Sequence, residues 1–450
     1  MLRKADADGV ESDAFSRADE QGKPCVFGST GVCCRICHMG PCKISEFTPG
    51  VCGATADTVA ARNLLREVAA GCAAHSDHGR HLVLLLKEVA EGKNTDYRIR
   101  DRNRLHAAAR DWGLETDGLD DNAIALNLAN LFLEEFRLQE GKLKTLELAP
   151  KPRQGVWDRA GISPKGVDAS VVEALHRTHM GVDHDYRNII RGAMKVALAD
   201  GWGGSMMATA VGDILFGTPR PVRARANLGV LEAKKVNVLV HGHEPALSEM
   251  LAAAASDPEV VAAAKQVGAE GVNLAGICCT ANEVLMRHGV PVAGSFLQQE
   301  LAIVTGAVEL MITDVQCCMP SLPSVARCYH TKILTSSPIA MNEEAEAIHY
   351  EPENGYECAK GILLKAIANY PNRDPKKVSI PDAQSPLVAG FSNETVFSIL
   401  GGTFRRSFRP LSDAIITGRI RGVCGIVGCT NARSKMDDYI LTLTKELIAR

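Results

Sequence analysis

Hydrophobic positions fall into two textures along the chain. From Asp57 the run TVAARNLLREVAAGCAA sets Ala61, Leu64, Leu65, Val68 and Cys72 on one face of a helix. HLVLLLKEVAEG, AIALNLANLFLEEFRLQEG and SVVEALHRTHM carry the same helical period to about residue 199, with no convincing period-2 segment. An all-helical domain is therefore predicted over residues 1–224. The Gly-rich stretch GWGGSMMATAVGDILFGTPRP at 201–221 closes it, with Pro219 and Pro221 marking the boundary. Its glycines are not a phosphate loop, because no strand precedes them and no GKS or GKT follows.

Beyond that boundary, short apolar runs alternate with helical patterns. VNVLV (236–240), GVNLAGI (271–277), VELMITD (308–314) and KILTSS (332–337) read as strands buried on both faces, the mark of a parallel sheet. They predict a Rossmann-like α/β domain over 225–385. A second unit of the same kind opens at PLVAGFS (386–392), runs through GRIRGVCGIVGC (418–429) and ends in the helix DDYILTLTKELIAR, over 386–450. The fold class is thus a multidomain combination of α and α/β.

Composition narrows the function. The 450 residues carry 50 Lys plus Arg against 53 Asp plus Glu, a formal charge of -3, with neither sign gathered in a block. That argues against nucleic acid or an anionic membrane surface as partner. No run of ~18 apolar residues suggests a spanning helix. The first 23 residues show no apolar stretch that would make a secretory leader, so a cytoplasmic location is expected. In that compartment thiols stay reduced, which makes 15 cysteines better explained by metal than by disulfides.

The cysteines form two groups. Cys34, Cys37, Cys42 and Cys52 lie in CCRICHMGPCKISEFTPGVCG, where Gly40, Pro41, Gly50 and Gly53 let the backbone curl. Four thiolates in so compact an array suit a [4Fe-4S] cluster; a structural zinc site is the competing reading. Consecutive side chains diverge, so Cys33 needs a site other than that of Cys34. Together with Cys25 it supplies half of a four-thiolate cluster, which a twofold-related subunit would complete. A homodimer with an iron-sulfur cluster shared between subunits is the expectation.

The second group follows the strands. In open α/β sheets the ligand crevice lies beyond the carboxyl ends of the strands. VNVLV leads into His241-Gly242-His243, GVNLAGI into Cys278-Cys279, VELMITDVQ into Cys317-Cys318, and GVCGIVG into Cys429. Sulfur donors with an imidazole point to a soft, redox-active metal, an iron-sulfur cluster with or without nickel. Core thiols and a catalytic Cys/His pair are the alternatives. Cys72, on an apolar stripe, reads as core; Cys328, Cys358, His176, His179 and His184 carry no ligand pattern.

CVFGSTGVCCRICHMGPC, GVCGATADTVAARNLL, HSDHGRH, HGHEP, GICCTANE, QCCMPSL and GIVGC together resemble the catalytic subunit of the anaerobic nickel-iron carbon monoxide dehydrogenases, from about residue 20 to the last residue. The resemblance implies that Cys25 and Cys33 bind the shared cluster, and Cys34, Cys37, Cys42 and Cys52 the intermediate [4Fe-4S] cluster. It assigns His243, Cys279, Cys317 and Cys429 to the catalytic nickel-iron-sulfur cluster, in preference to Cys278, Cys318 and Cys424. The implied reaction is the reversible oxidation of carbon monoxide with water to carbon dioxide. A ferredoxin-type carrier would take the electrons. His75, His78 and His81, within a third of a helical circumference, would relay protons. The bland alternative has Ser76 and Asp77 capping a new helix and the histidines solvated.

The family's catalytic domain continues past the point matching Arg450, with two further cysteine ligands and a lysine. Residues 386–450 hold about two strand-helix units, too few to cover both faces of a sheet, so a truncated chain is expected. A hybrid-cluster protein reducing hydroxylamine, and a noncatalytic iron-sulfur scaffold, are the alternative functions.

Overall fold

The computed structural model describes residues 1–405 and 407–450. It separates into two compact units, one formed by Lys23–Gly217 and the other by Met1–Gly22 with Thr218–Arg450. Among the described residues no helix is long and apolar enough to cross a membrane.

The Lys23–Gly217 unit is built on one helix, Ala56–Ala90, opened by Thr55, whose side chain accepts the Thr58 N–H. The two apolar runs and the histidines between them belong to this single helix, so Ser76 and Asp77 cap nothing. Around it pack Asp121–Arg137, Val167–Arg177, Tyr186–Ala199 and Ser205–Phe216, sealing Leu65, Cys72, Val83, Leu86, Leu128, Phe132 and Ile189 from water. The GWGG stretch has a packing role. Asp200–Gly204 forms a widened turn against the long helix, and a Cβ on Gly204 would fall 2.3 Å from Ser76 Oγ. Only a residue without a side chain permits that approach. Ahead of the helices, Cys33–Cys34 (β1) and Cys42–Lys43 (β2) pair antiparallel, Cys34 opposite Cys42. The all-helical expectation missed this pair, because two-residue strands have no periodicity to detect.

The other unit carries an eight-stranded sheet. Its strands are Val222–Ala226 (β3), Val236–Gly242 (β4), Val272–Ile277 (β5), Val292–Gly294 (β6), Val308–Thr313 (β7), Lys332–Thr335 (β8), Glu346–Ala347 (β9) and Ser385–Ala389 (β10). Their spatial order is β10-β3-β6-β5-β4-β7-β8-β9. All neighbours run parallel except β10, which pairs antiparallel with β3. The chain is therefore a mixed α/β protein with a mostly parallel central sheet. The four apolar runs read as strands are β4, β5, β7 and β8, and every residue of β4 and β7 is buried. PLVAGFS opens as β10, an edge strand of this same sheet.

GVCGIVG differs from the expectation. It forms no strand, and Val423 and Val427 are both 91% exposed. An apolar run becomes a strand only where neighbours supply a ladder and a buried face, and here neither is present.

Candidate metal centre

From β4 the chain of strands turns one way to β5 and β6, and the other way to β7 and β8. Ligands in open α/β sheets bind at such a reversal, beyond the strand ends. Here β4 ends at Gly242 and delivers His243, while β7 ends at Thr313 and leads to Cys317. Cys317 Sγ lies 4.0 Å from His243 Nε2. Next door, β5 runs straight into the helix Cys278–His288, which begins with the paired cysteines. The free Cys278 thiol hydrogen-bonds to the sulfur of Cys317, and Cys279 hydrogen-bonds to the ring of His243.

Three residues of this cluster hold the left-handed backbone that side chains avoid, with φ of 64° at Cys278, 65° at Gln316 and 58° at Cys317. Such strain persists only where the surroundings overdetermine it. Asp314, buried, supplies part of that constraint. Its Oδ1 accepts from His243 N–H at 2.6 Å and from Val315 N–H, and its Oδ2 accepts from Thr280 Oγ1 at 3.1 Å. One carboxylate thus ties together all three loops that carry these histidine and cysteine side chains. Gly242, at φ 136°, must be glycine, since a Cβ there would sit 1.7 Å from Asp314 Oδ1. Nothing in the sequence singled out Asp314; its place directly after a fully buried strand was the available signal.

The charges favour metal-ready sulfur. Burial opposes charge on His243, but its bonds to Cys279 and Cys317 outweigh that and raise it to about 10. The bond from Cys278, then the bond to His243, pull the Cys317 thiol well below its ordinary value. Cys278 is pushed up by the same bond to Cys317 and by burial, with Cys429 adding to the effect. Cys429 therefore lies within electrostatic reach of the group although its segment is irregular. Burial also pushes up Cys318, whose sulfur turns toward the Gln316 carbonyl at 3.3 Å. Cys424 is exposed, its sulfur 4.0 Å from Gly425 O. Beside Cys317 opens a cleft of roughly 440 Å³ that also takes in Met319 and Met341.

In the Lys23–Gly217 unit, Cys34, Cys37, Cys42 and Cys52 line one cavity with Ile36, Ile44 and Arg62. Gly40 makes it possible, because a Cβ there would lie 3.0 Å from Cys34 O and 3.3 Å from Cys42 N. Cys25 is exposed, its thiol drawn down by the Gly28 and Phe27 N–H groups, and Cys33 is half-buried. His75 and His78 have ring centroids 6.2 Å apart, and His81 is exposed one turn on. Asp200, unnoticed in the sequence, faces His75 Nδ1 with both oxygens at 3.1 Å and accepts from Ser205 Oγ at 2.7 Å.

The chain has known relatives. The model of the Prismane/CO dehydrogenase family matches residues 32–450. The chain belongs to the Prismane/CO dehydrogenase family. It is 48% identical to carbon monoxide dehydrogenase 1 of Methanosarcina acetivorans, over all of this chain and 71% of that one. To the carbon monoxide dehydrogenase of Rhodospirillum rubrum it is 42% identical, again over 100% of this chain and 71% of the relative. The structure of a nickel-free carbon monoxide dehydrogenase from Thermococcus sp. AM4 superposes with a TM-score of 0.94 at 49% identity, covering 99% of this chain and 71% of that one.

Among the described residues no group of three His, Cys, Asp or Glu is placed to hold a single metal ion. The donor chemistry fits a larger inorganic group: soft thiolates and one imidazole, with Cys317 Sγ 4.0 Å from His243 Nε2, on loops whose geometry strain and hydrogen bonds fix.

Proposed function

We propose that the chain is the catalytic subunit of an anaerobic carbon monoxide dehydrogenase, converting CO and H2O to CO2, two protons and two electrons. The observation that carries this reading is the meeting of His243 and Cys317 at the sheet's reversal point, with Cys278 and Cys279 bonded to them, in a chain 48% identical to a named enzyme. His243, Cys279, Cys317 and Cys429 would hold a nickel-iron-sulfur cluster. Cys279 is favoured over Cys278 because it is exposed and bonds the His243 ring, whereas Cys278 is buried.

When bound, that cluster supplies carbon monoxide binding, activation of water and first acceptance of the electrons. The chain's own residues do the rest. Asp314 holds His243 and Thr280 in place so that donors from separate strands keep one geometry. Asp200 receives the Nδ1 proton of His75 in a hydrogen bond, which leaves Nε2 to take up a proton and pass it on. His78, at ring-to-ring distance, and then exposed His81 continue the path to solvent. Cys34, Cys37, Cys42 and Cys52 would hold the [4Fe-4S] cluster that receives the electrons, and Cys25 with Cys33 half of a further cluster shared in a homodimer. Exposed Val26, Met39, Phe47 and Val51 in that segment support a subunit interface there. A ferredoxin-type carrier in the cytoplasm would take the electrons onward.

The test is anaerobic expression with nickel and iron, metal analysis, and methyl viologen reduction under carbon monoxide. Nickel together with CO-dependent dye reduction is the expected result. Hydroxylamine-dependent oxidation of reduced dye without CO turnover would move the chain to the hybrid-cluster side of its family, and iron without nickel or turnover would leave an iron-sulfur scaffold.

A further inference from the structure

The two loops that bring His243 and Cys317 together are joined by Gln299 as well as by Asp314. Gln299 opens the short helix Gln299–Val304 and is fully buried. Its Oε1 accepts from His241 Nε2 at 2.9 Å and from the Met319 N–H at 2.8 Å. Its Nε2 donates to the carbonyls of Phe296 at 2.7 Å and Cys317 at 2.9 Å. A primary amide has two donor hydrogens and an oxygen with two lone pairs. All four capacities are used, so the amide can adopt one orientation only, and His241 must carry its proton on Nε2.

The backbone held by these bonds is one that L residues rarely adopt, with Gln316 and Cys317 both at positive φ. Freed from Gln299, the turn would relax toward negative φ and swing the Cys317 sulfur away from its present direction. The next residue, Glu300, grips the same turn from outside: it accepts from Ser321 Oγ, and from Arg17 Nη2 at 2.7 Å. Gln299 touches both the cysteine that points at His243 and the loop that carries His243.

We propose that Gln299 is a positioning residue for the metal centre: by fixing the Cys317 carbonyl and the His241 ring to each other, it sets the direction in which the Cys317 thiolate meets His243. This rests on the metal reading above. Supporting contacts behind metal ligands are typically worth about 10- to 100-fold in metal affinity.

The experiment compares the wild-type chain with Gln299→Met, which has similar volume and no hydrogen bonds, and Gln299→Glu, which keeps both acceptors and loses both donors. In nickel-replete anaerobic preparations, both variants should bind nickel about 10- to 100-fold more weakly. The EPR signal of the N-terminal [4Fe-4S] cluster should be unchanged. In nickel-free protein, alkylation of Cys317 relative to Cys52, read by mass spectrometry, should change in both variants. Should Gln299→Met not fold, Gln299→Glu carries the same comparison. Wild-type nickel affinity with wild-type Cys317 reactivity in the variants would overturn the role of Gln299. A wild-type chain that binds no nickel would instead overturn the metal reading, a distinct outcome.

Discussion

The sulfur of Cys317 stands 4.0 Å from Nε2 of His243, although 74 residues separate them in the chain. The distance is too long for a strong hydrogen bond and suits two donors that close on a common inorganic group. Both sit where the sheet reverses its strand order, so the pair is a product of topology.

The two adjacent cysteines at the end of β5 should separate in their effects. Cys279→Ala is expected to lower nickel per chain by more than about 10-fold, the lower end of what loss of even a supporting contact costs. Cys278→Ala should retain nickel, since that buried thiol bonds Cys317 and not the His243 ring. Metal analysis of the two purified variants decides; the reverse pattern would exchange the assignments.

Asp314 and Gly242 should prove mutually dependent. Asp314→Asn removes an acceptor from a group receiving three hydrogen bonds, and is expected to cost about 1–3 kcal/mol in thermal unfolding. Gly242→Ala should be at least as damaging, because its Cβ would fall 1.7 Å from Asp314 Oδ1. A Gly242→Ala protein as stable as wild type would contradict the packing described.

Asp200→Asn should slow turnover while leaving metal content intact. The aspartate faces His75 Nδ1 with both oxygens, and proton transfer by a positioned group typically contributes about 10²- to 10⁴-fold. Carbon monoxide oxidation followed against nickel and iron content checks this. A parallel loss of metal would mean that the residue supports the fold rather than the relay.

Cys25→Ala is expected to remove iron from the shared cluster and to weaken the dimer while sparing nickel. Iron per chain and sedimentation under anaerobic conditions read both effects. Full iron content in this variant would remove Cys25 from the ligand set.

Glu135 offers a pH-dependent test of the helical unit. Burial raises its carboxyl above the ordinary 4.5, against the opposing bonds from the Lys144 and Thr145 N–H groups. The folded chain therefore holds this proton more tightly than the unfolded one. The stability that follows is fully present below the ordinary value and is lost as pH rises through the raised one. Glu135→Gln, which can still accept the Lys144 N–H, should melt like wild type near pH 4.5 and progressively above it toward pH 7. A constant difference across that range would argue against the raised carboxyl.

Much of this site was legible before any coordinates. β4, β5, β7 and β8 declared themselves as short apolar runs because strands buried on both faces need apolar side chains at every position. The residues released at their ends followed from the general placement of ligands in open sheets. Cysteine is also rare enough that clustering carries meaning. GVCGIVG shows the limit of that reasoning, since an apolar run without neighbours has no reason to become a strand.

By itself, the order of residues determined the parallel strands, the helical character of the segments on either side of the three histidines and the chemical character of the donors, because periodicity and residue type are local properties. Only the tertiary structure decided which donors meet, and which ordinary polar residues hold them. Gln299 lies 58 positions from His241 and Asp200 lies 125 from His75. Gln and Asp occur everywhere on protein surfaces, and become specific only when folding buries them and leaves a single set of partners within reach.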